Sequence, residues 1–123
     1  MDGRPFPWGW EHDPSWACTA ESHGGAPAPH PVTAFPPDES PYGVRGLTGG
    51  IRDWCFNAFE PAGPAVVDQR AVVAGPADGS GPRITRGGAW SLPDWVGRIC
   101  CRGFHAPIRL PDLGMRLARP YRR

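Results

Sequence analysis

Hydrophobic and polar residues alternate over only short stretches of this chain, and the segment from Arg86 to Arg116 has no helical period. The clearest alternation spans residues 51–56 and is typical of a half-buried β-strand. It gives the predicted strand two different faces: Ile51, Asp53 and Cys55 on one, and Arg52, Trp54 and Phe56 on the other. We therefore expect an architecture of short strands joined by long loops.

Several further segments complete the predicted elements. Residues 32–35 form a short strand that two prolines stop, and residues 83–85 lead as a strand into the sequence RGGAW. A long surface loop, a short strand and a closing strand follow, up to Arg116. Residues 61–82 carry two apolar triplets, 65–67 and 71–73, and they predict either a hairpin excursion or an exposed loop, with turns at Ala62-Gly63-Pro64 and Asp78-Gly79.

The amino-acid composition indicates that aromatic packing holds these short strands and loops together. Seventeen glycines and seventeen prolines in 123 residues leave little room for long helices, and by themselves they would allow disorder. Six tryptophans and five phenylalanines argue for a folded, loop-rich single domain, because such rings stabilise a fold most when they are buried. In the irregular arm of residues 1–30 we expect Trp8, Trp10 and Trp16 to be buried.

Charge and cysteine usage exclude several classes of function. The net charge is +1 and all thirteen basic residues are arginine, so no nucleic-acid partner is implied; Arg119, Arg122 and Arg123 read as a frayed basic end. The four cysteines have no CxxC spacing. No apolar run is long enough to span a membrane and no signal peptide opens the chain, so we expect no membrane partner and a cytoplasmic protein with reduced thiols.

Several motifs in a fixed order resemble one known family. The sequences RGGAW at 86–90, RICCR at 98–102, Pro107 and GMR at 114–116 are similar to the RGGSW, R-x-A-x-R, Pro and GFR of the formylglycine-generating-enzyme (sulfatase-modifying factor) domain. Upstream, FPWG at 6–9, PVTAFPP at 31–37 and SPYGVRGLTGGIRDW at 40–54 resemble its YPWG, PVxxFPPN and GLYDMxGNVWEW. The resemblance covers nearly the whole chain.

The resemblance implies an α+β fold of the C-type-lectin-like class, with short antiparallel strands and little helix. Residues 1–123 match the C-terminal portion of one such domain, because nothing here resembles the helical first half. A half-domain leaves a sheet face uncovered, so we expect marginal stability or association with a partner. The missing N-terminal half and a kinase domain are the candidate protein partners.

The family's enzymes oxidise a substrate cysteine with two copper-binding cysteines that shortly follow RGGSW, but residues 91–97 contain none. Cys100 is expected to be a packed structural thiol, with Cys101 on the opposite side of a strand, so we expect no copper. Related ergothioneine-type sulfoxide synthases draw iron-binding histidines from another domain. The interpretation is a noncatalytic ligand-binding or sensor module, associated with a serine/threonine kinase or a diversity-generating retroelement. The alternative is a formylglycine-generating-type oxidoreductase that uses Cys100 and Cys101.

In such a module an unknown protein or small-molecule ligand would bind between RGGAW and GMR. The predicted binding residues are apolar, aromatic or polar side chains of this segment: Leu92, Asp94, Trp95, Val96, Ile99, Cys101, Phe104, His105, Ile108 and Leu110. Arg98, Arg102 and Arg116 are expected to be buried structural arginines that pair with Asp53 or backbone carbonyls.

The resemblance also implies a structural calcium site. It assigns backbone carbonyls to Gly49 and Ile51 and the carboxylate to Asp53, while the family's other side-chain ligand falls at Gly46, which has no side chain. Alternatively, Asp53 caps a turn or pairs with an arginine. His12, His23 and His30 fit no compact metal site and are expected at the surface. Ser91 and His105 lack an orienting acid, so no catalytic residue is predicted.

Overall fold

The computed structural model describes residues 2–22, 24, 26–72, 75 and 80–118. The predictions made for His23, Val73, the turn at Asp78-Gly79 and the terminal arginines Arg119, Arg122 and Arg123 lie outside these residues. The described part contains six strands: β1 (Arg52–Ala58), β2 (Val66–Val67), β3 (Arg70–Ala71), β4 (Arg83–Arg86), β5 (Gly103–His105) and β6 (Leu113–Met115). Its only helices are three 3-10 turns, at Pro14–Trp16, Val32–Ala34 and Asp94–Gly97.

Four strands form one sheet in the order β5-β4-β1-β6. The pairings of β1 with β4 and of β4 with β5 are antiparallel, and β6 runs parallel to β1 at the sheet edge. This arrangement confirms the predicted strand at 51–56, the strand leading into RGGAW, and the short and closing strands after it. The little helix and the short, mostly antiparallel strands fit the α+β C-type-lectin-like class.

Strands β2 and β3 form a separate two-stranded hairpin inside residues 61–82, as the two apolar triplets predict. Asp68 and Gln69 lie between them with φ of 49° and 62°. A two-residue turn with both φ values positive matches the right-handed twist of paired strands. Every residue of β2 and β3 is exposed, so the hairpin adds little to the core.

The strand predicted at 32–35 is wrong, because Val32–Ala34 is a 3-10 turn. Pro31 and the prolines at 36 and 37 lack the N–H groups that a ladder needs. The Ala34 N–H instead donates to the Pro31 carbonyl at 2.9 Å, which closes the turn locally. Apolar residues between prolines were therefore a poor indicator of a strand.

Aromatic packing holds the N-terminal arm, although not through all three tryptophans. Phe6 is buried and its ring stacks on Trp8 at 5.0 Å between centroids, and Trp8 meets Trp16 edge-on at 5.9 Å. Trp10 is 67% exposed, which corrects its expected burial. Asp13 caps the turn Pro14–Trp16 by accepting a hydrogen bond from the Ser15 N–H, as its place before proline indicates.

The centre of the fold is polar as well as apolar. Asp38 is 2% exposed, and its carboxylate accepts hydrogen bonds from the N–H groups of Thr48 and Gly49 at 3.1 Å. Thr48 is also buried, and the backbone beside it touches Gly88 and Gly97. Asp38 thus fixes the glycine-rich turn against which the segment RGGAW packs.

We expect Asp38→Asn to keep the fold and to remove part of the pH dependence of stability. Burial raises the pKa of Asp38, while the N–H groups of Thr48 and Gly49 oppose that rise. A carboxyl with a raised folded-state pKa contributes stability at low pH that is lost as pH rises through that pKa. The urea midpoint of the wild type should therefore fall as pH rises. The midpoint of the Asn variant, which keeps an oxygen acceptor, should not show this fall.

A matched variant separates charge from hydrogen bonding. Asp38→Ala leaves the Thr48 and Gly49 N–H groups without an acceptor, so it should lower the free energy of unfolding by about 2 kcal/mol or more. An Asn variant with the wild-type slope would show that Asp38 does not set the pH dependence. Equal stability of the Ala variant and the wild type would show that the turn does not need this acceptor.

Candidate functional site

One face of the four-stranded sheet carries a cluster of aromatic and cationic side chains, here called the Trp54 face. Trp54 pairs with Thr85 on β4, and Arg83 pairs with His105 on β5. Because side chains alternate along a strand, this register brings side chains from three strands to the same side. The Trp54 face consists of Arg52, Trp54, His105 and Met115, which this register places on one side, together with the exposed ring of Phe56, which lies beyond a register shift of β1 between Trp54 and Ala58.

This face is partly open to solvent, with Trp54 and His105 half-buried and other members exposed. The rings of Trp54 and His105 lie 6.3 Å apart at an interplanar angle of 82°, so one presents its edge to the other. Phe56 and Met115 are 68% and 69% exposed. Flat or polarisable side chains exposed next to one another are typical of a binding surface.

The cationic part of the face is Arg52. Its guanidinium lies over Gly103 so closely that a Cβ added there would fall 2.6 Å from a terminal nitrogen. The Nε atom is buried and has no hydrogen-bond partner in the part of the chain that the structure describes. Burial lowers the pKa of Arg52, and nearby Arg86 lowers it further, while the guanidinium remains charged.

This arrangement suits a small molecule with both an anionic and a cationic or aromatic end. A guanidinium binds a carboxylate or phosphate through paired hydrogen bonds, and a donor left unpaired indicates room for an acceptor. An indole face attracts quaternary ammonium groups and other cations. The geometry therefore supports ligand binding across β1 and β5.

The predicted binding residues do not form one surface. Phe104 lies opposite Ile84 on the other side of the sheet from His105 and stacks on Phe59 at 3.9 Å between centroids. Trp95 is 55% exposed, and Ile99, Ile108 and Leu110 are also exposed.

Three other members of the predicted set have partners within the fold. Val96 is buried and lies in the core instead of on the predicted patch. The carboxylate of Asp94 is ion-paired with His12, whose ring also stacks on Phe6. The backbone carbonyl of Leu92 accepts a hydrogen bond from Ala20, which ties this loop to the N-terminal arm.

The expected placement of the adjacent cysteines needs correction. Cys100 and Cys101 lie in a turn before β5 and not on a strand, so they do not point to opposite faces. Cys100 is exposed and is not a packed thiol, whereas Cys101 is half-buried. The Cys101 thiol donates to the Trp95 carbonyl at 3.3 Å.

Sequence reasoning missed Arg52, Trp54 and Phe56 as site residues, although their alternation placed them on one face. It also missed Asp112, whose carboxylate accepts a hydrogen bond from the Ser91 hydroxyl. Ser91 thus has an acidic partner but not the histidine, because the ring of His105 lies against Trp54. No sequence motif points to Asp112.

One of the residues assigned to calcium pairs with an arginine. The Arg116 Nε atom lies 3.4 Å from a carboxylate oxygen of Asp53, and the guanidinium donates to the carbonyls of Arg45 and Gly46 at 2.8 and 3.1 Å. Asp53 and Gly46 are both positions that the resemblance gives to the cation. Asp53 thus pairs with an arginine, as the alternative interpretation had it, and calcium binding by Gly49, Ile51 and Asp53 stays a prediction.

The other predicted structural arginines are partly as expected. Arg102 donates to the Pro61 carbonyl at 2.6 Å, but Arg98, Arg102 and Arg116 are all exposed and not buried. Among the described residues, no group of three or more His, Cys, Asp and Glu side chains is placed to hold a metal ion. No helix in the described ranges has the length and apolar character that crossing a bilayer requires.

The short strands and the glycine-rich turn under RGGAW fit a domain of the C-type-lectin-like class. The chain belongs to the family of sulfatase-modifying factor enzyme 1-like domains, whose profile matches residues 1–121. This match confirms the family that the sequence motifs indicated.

Three curated relatives of the chain are named hercynine oxygenase. The chain is 32% identical over 120 residues to a hercynine oxygenase of Mycolicibacterium smegmatis, an alignment that covers 94% of this chain and 28% of the relative. A hercynine oxygenase of Mycolicibacterium thermoresistibile is 31% identical over 120 residues, covering 94% and 26%. One from Mycobacterium tuberculosis is 28% identical over 116 residues, covering 94% and 27%. The chain thus spans about a quarter of these relatives' length.

Proposed function

We propose that this domain binds the substrate of an oxidative enzyme, a small trimethylammonium carboxylate of the hercynine type, on the Trp54 face. Hercynine is the betaine of histidine and carries a carboxylate, a quaternary ammonium group and an imidazole ring. The observation that carries the proposal is the buried Arg52 Nε atom, which has no acceptor among the described residues and belongs to a side chain on the same strand and face as Trp54. The relatives' shared name supports the choice of ligand.

Each part of such a ligand has a partner on the face. The carboxylate accepts from Arg52, whose Nε lacks an acceptor among the described residues. The ammonium group packs against Trp54 or the exposed ring of Phe56 by cation–π attraction. His105, edge-on to Trp54, lines the far side of the face.

Calorimetric titration of hercynine into the domain tests this function. Arg52→Lys keeps the charge but loses the fork of donors, and Trp54→Phe keeps a ring but weakens cation–π attraction; each should weaken binding about tenfold. Trp10→Phe, which changes an exposed indole away from the face, should bind as the wild type does. Histidine, which lacks the methyl groups, should bind more weakly than hercynine. Equal affinities for all three variants would refute the proposal.

A second candidate is a noncatalytic recognition module, and the exposure of Trp95, Ile99 and Ile108 supports it. In that case the domain recognises a protein, for example a kinase, through the loop between RGGAW and GMR. Oxygen uptake by the polypeptide that contains this domain, with hercynine present, distinguishes the two functions. Binding without uptake favours the recognition module.

A further inference from the structure

Two adjacent cysteines lie together in a turn beside the Trp54 face. Cys100 and Cys101 follow the 3-10 turn Asp94–Gly97 and precede β5, and the Cys101 N–H closes the turn by donating to the Arg98 carbonyl at 2.9 Å. The alternation that separates neighbouring side chains on a strand does not apply in this turn. Both residues are free cysteines.

The two thiols differ in exposure in a way that suits stepwise chemistry. Cys100 is exposed and open to attack or exchange, whereas Cys101 is half-buried and held by the Trp95 carbonyl at 3.3 Å. In thiol–disulfide exchange one cysteine forms a mixed disulfide and the second resolves it. An exposed thiol with a fixed neighbour provides both roles.

Burial and the neighbouring Cys100 raise the pKa of Cys101 and favour its thiol form, while the guanidinium groups of Arg98 and Arg52 oppose that rise. Arg52 is the cation of the Trp54 face. Any change in the state of these sulfurs therefore acts directly on a candidate ligand-binding residue.

We propose that Cys100 and Cys101 form a reversible vicinal disulfide by exchange with a low-molecular-weight disulfide such as oxidised glutathione. The Cys100 thiolate attacks one sulfur of the small disulfide, forming a mixed disulfide and releasing one thiol. The Cys101 thiolate then attacks the Cys100 sulfur and releases the second thiol. The protein pair loses two electrons and two protons, which the small disulfide gains.

The expected bond is labile, which suits a switch and not a structural staple. Consecutive Cα atoms are about 3.8 Å apart, closer than the roughly 4.4–6.8 Å of ordinary disulfides. A strained disulfide is reduced more easily than a relaxed one. The half-buried Cys55 and the buried Cys18 lie elsewhere and are not adjacent to another cysteine in sequence.

Intact-mass and peptide-mapping spectrometry after incubation with oxidised glutathione tests the chemical step. The wild type should lose two hydrogens within the peptide that contains both cysteines, and a dithiol reductant should restore them. Cys101→Ser should instead accumulate a glutathione adduct on Cys100. Cys55→Ser, the matched control, should behave as the wild type does. A wild type that stays reduced, or that keeps the adduct as Cys101→Ser does, overturns the proposal.

The regulatory consequence rests on the proposed function and has its own measurement. Forming the disulfide removes the titratable Cys101 thiol that interacts electrostatically with Arg52, so we expect the oxidised domain to bind hercynine about tenfold more weakly than the reduced domain. Disulfide formation with unchanged affinity overturns the regulatory part alone. Absence of hercynine binding in both states counts against the proposed function and leaves the mass result to decide the disulfide.

Discussion

Replacing Gly88 by alanine is expected to remove about 4 kcal/mol or more of stability, a large part of what a domain of this size has. An added Cβ would lie well under 3.0 Å from the Thr48 carbonyl oxygen and 3.2 Å from the Cα of Gly97. Both obstacles are backbone, so no side chain can rotate away. Thr48 cannot retreat either, because its N–H is bound by the buried carboxylate of Asp38.

Expression in soluble form and urea unfolding, followed by tryptophan fluorescence, measure this effect. Gly24→Ala is the matched control, because no atom lies within 4 Å of a Cβ added there. It should shift the free energy of unfolding by less than about 0.5 kcal/mol. A Gly88→Ala protein as stable as the control would show that the turn yields and that close backbone approach is not what orders the domain.

Two glycines directly before a tryptophan, as in RGGAW, are typical of backbone that lies beside a large ring. Instead the glycines approach the backbone of the preceding turn: a Cβ on Gly87, whose φ is +78°, would lie 2.8 Å from the Leu47 carbonyl. The Trp90 N–H donates to the Gly50 carbonyl at 2.9 Å, so the tryptophan is fixed through its main chain. Consecutive glycines indicate close packing, but only the fold shows which atoms they approach.

The alternation of apolar and polar residues predicted the strands well where hydrogen bonds between paired strands determine the structure. Strand β1 followed directly from alternation. The hairpin of β2 and β3 lies between the two apolar triplets, but it turns at Asp68 and Gln69, which were not among the predicted turn residues. The turn Val32–Ala34 was missed because its apolar residues have no neighbouring strand, and Pro31 leaves only a local hydrogen bond. The burial of Trp10 was mispredicted because ring size does not reveal which tryptophans find partners.

The candidate site was only half predictable for a related reason. Alternation grouped Arg52 with Trp54, but joining His105 to them requires the register between β1, β4 and β5, which arises from pairing over long sequence separations. The adjacent cysteines were mispredicted because a strand was assumed where a turn occurs. In both cases the missing information was tertiary, while the chemistry of each residue was visible in the sequence.

Arg116→Ala is expected to lower the free energy of unfolding by about 2 kcal/mol. The guanidinium joins the Asp53 carboxylate to the carbonyls of Arg45 and Gly46, and so connects the end of β6 to the glycine-rich turn. Half-exposed ion pairs contribute little by Coulomb attraction alone, so most of the loss comes from the charge-assisted hydrogen bonds. Arg116→Lys, which keeps the charge without the fork, should recover less than half of it.

Adding calcium to the wild type and to Arg116→Ala tests which cation neutralises this turn. With Arg116 in place, the urea midpoint should be the same with calcium and with a chelator, because the guanidinium already neutralises Asp53. In Arg116→Ala, Asp53 and the two carbonyls are released, and oxygen ligands of this kind suit calcium, so calcium should restore part of the lost stability. The control is Arg109→Ala, which removes an exposed arginine. Its urea midpoint should match that of the wild type both with calcium and with a chelator. Stabilisation of the wild type by calcium would instead support the site at Gly49, Ile51 and Asp53 that the family resemblance implies.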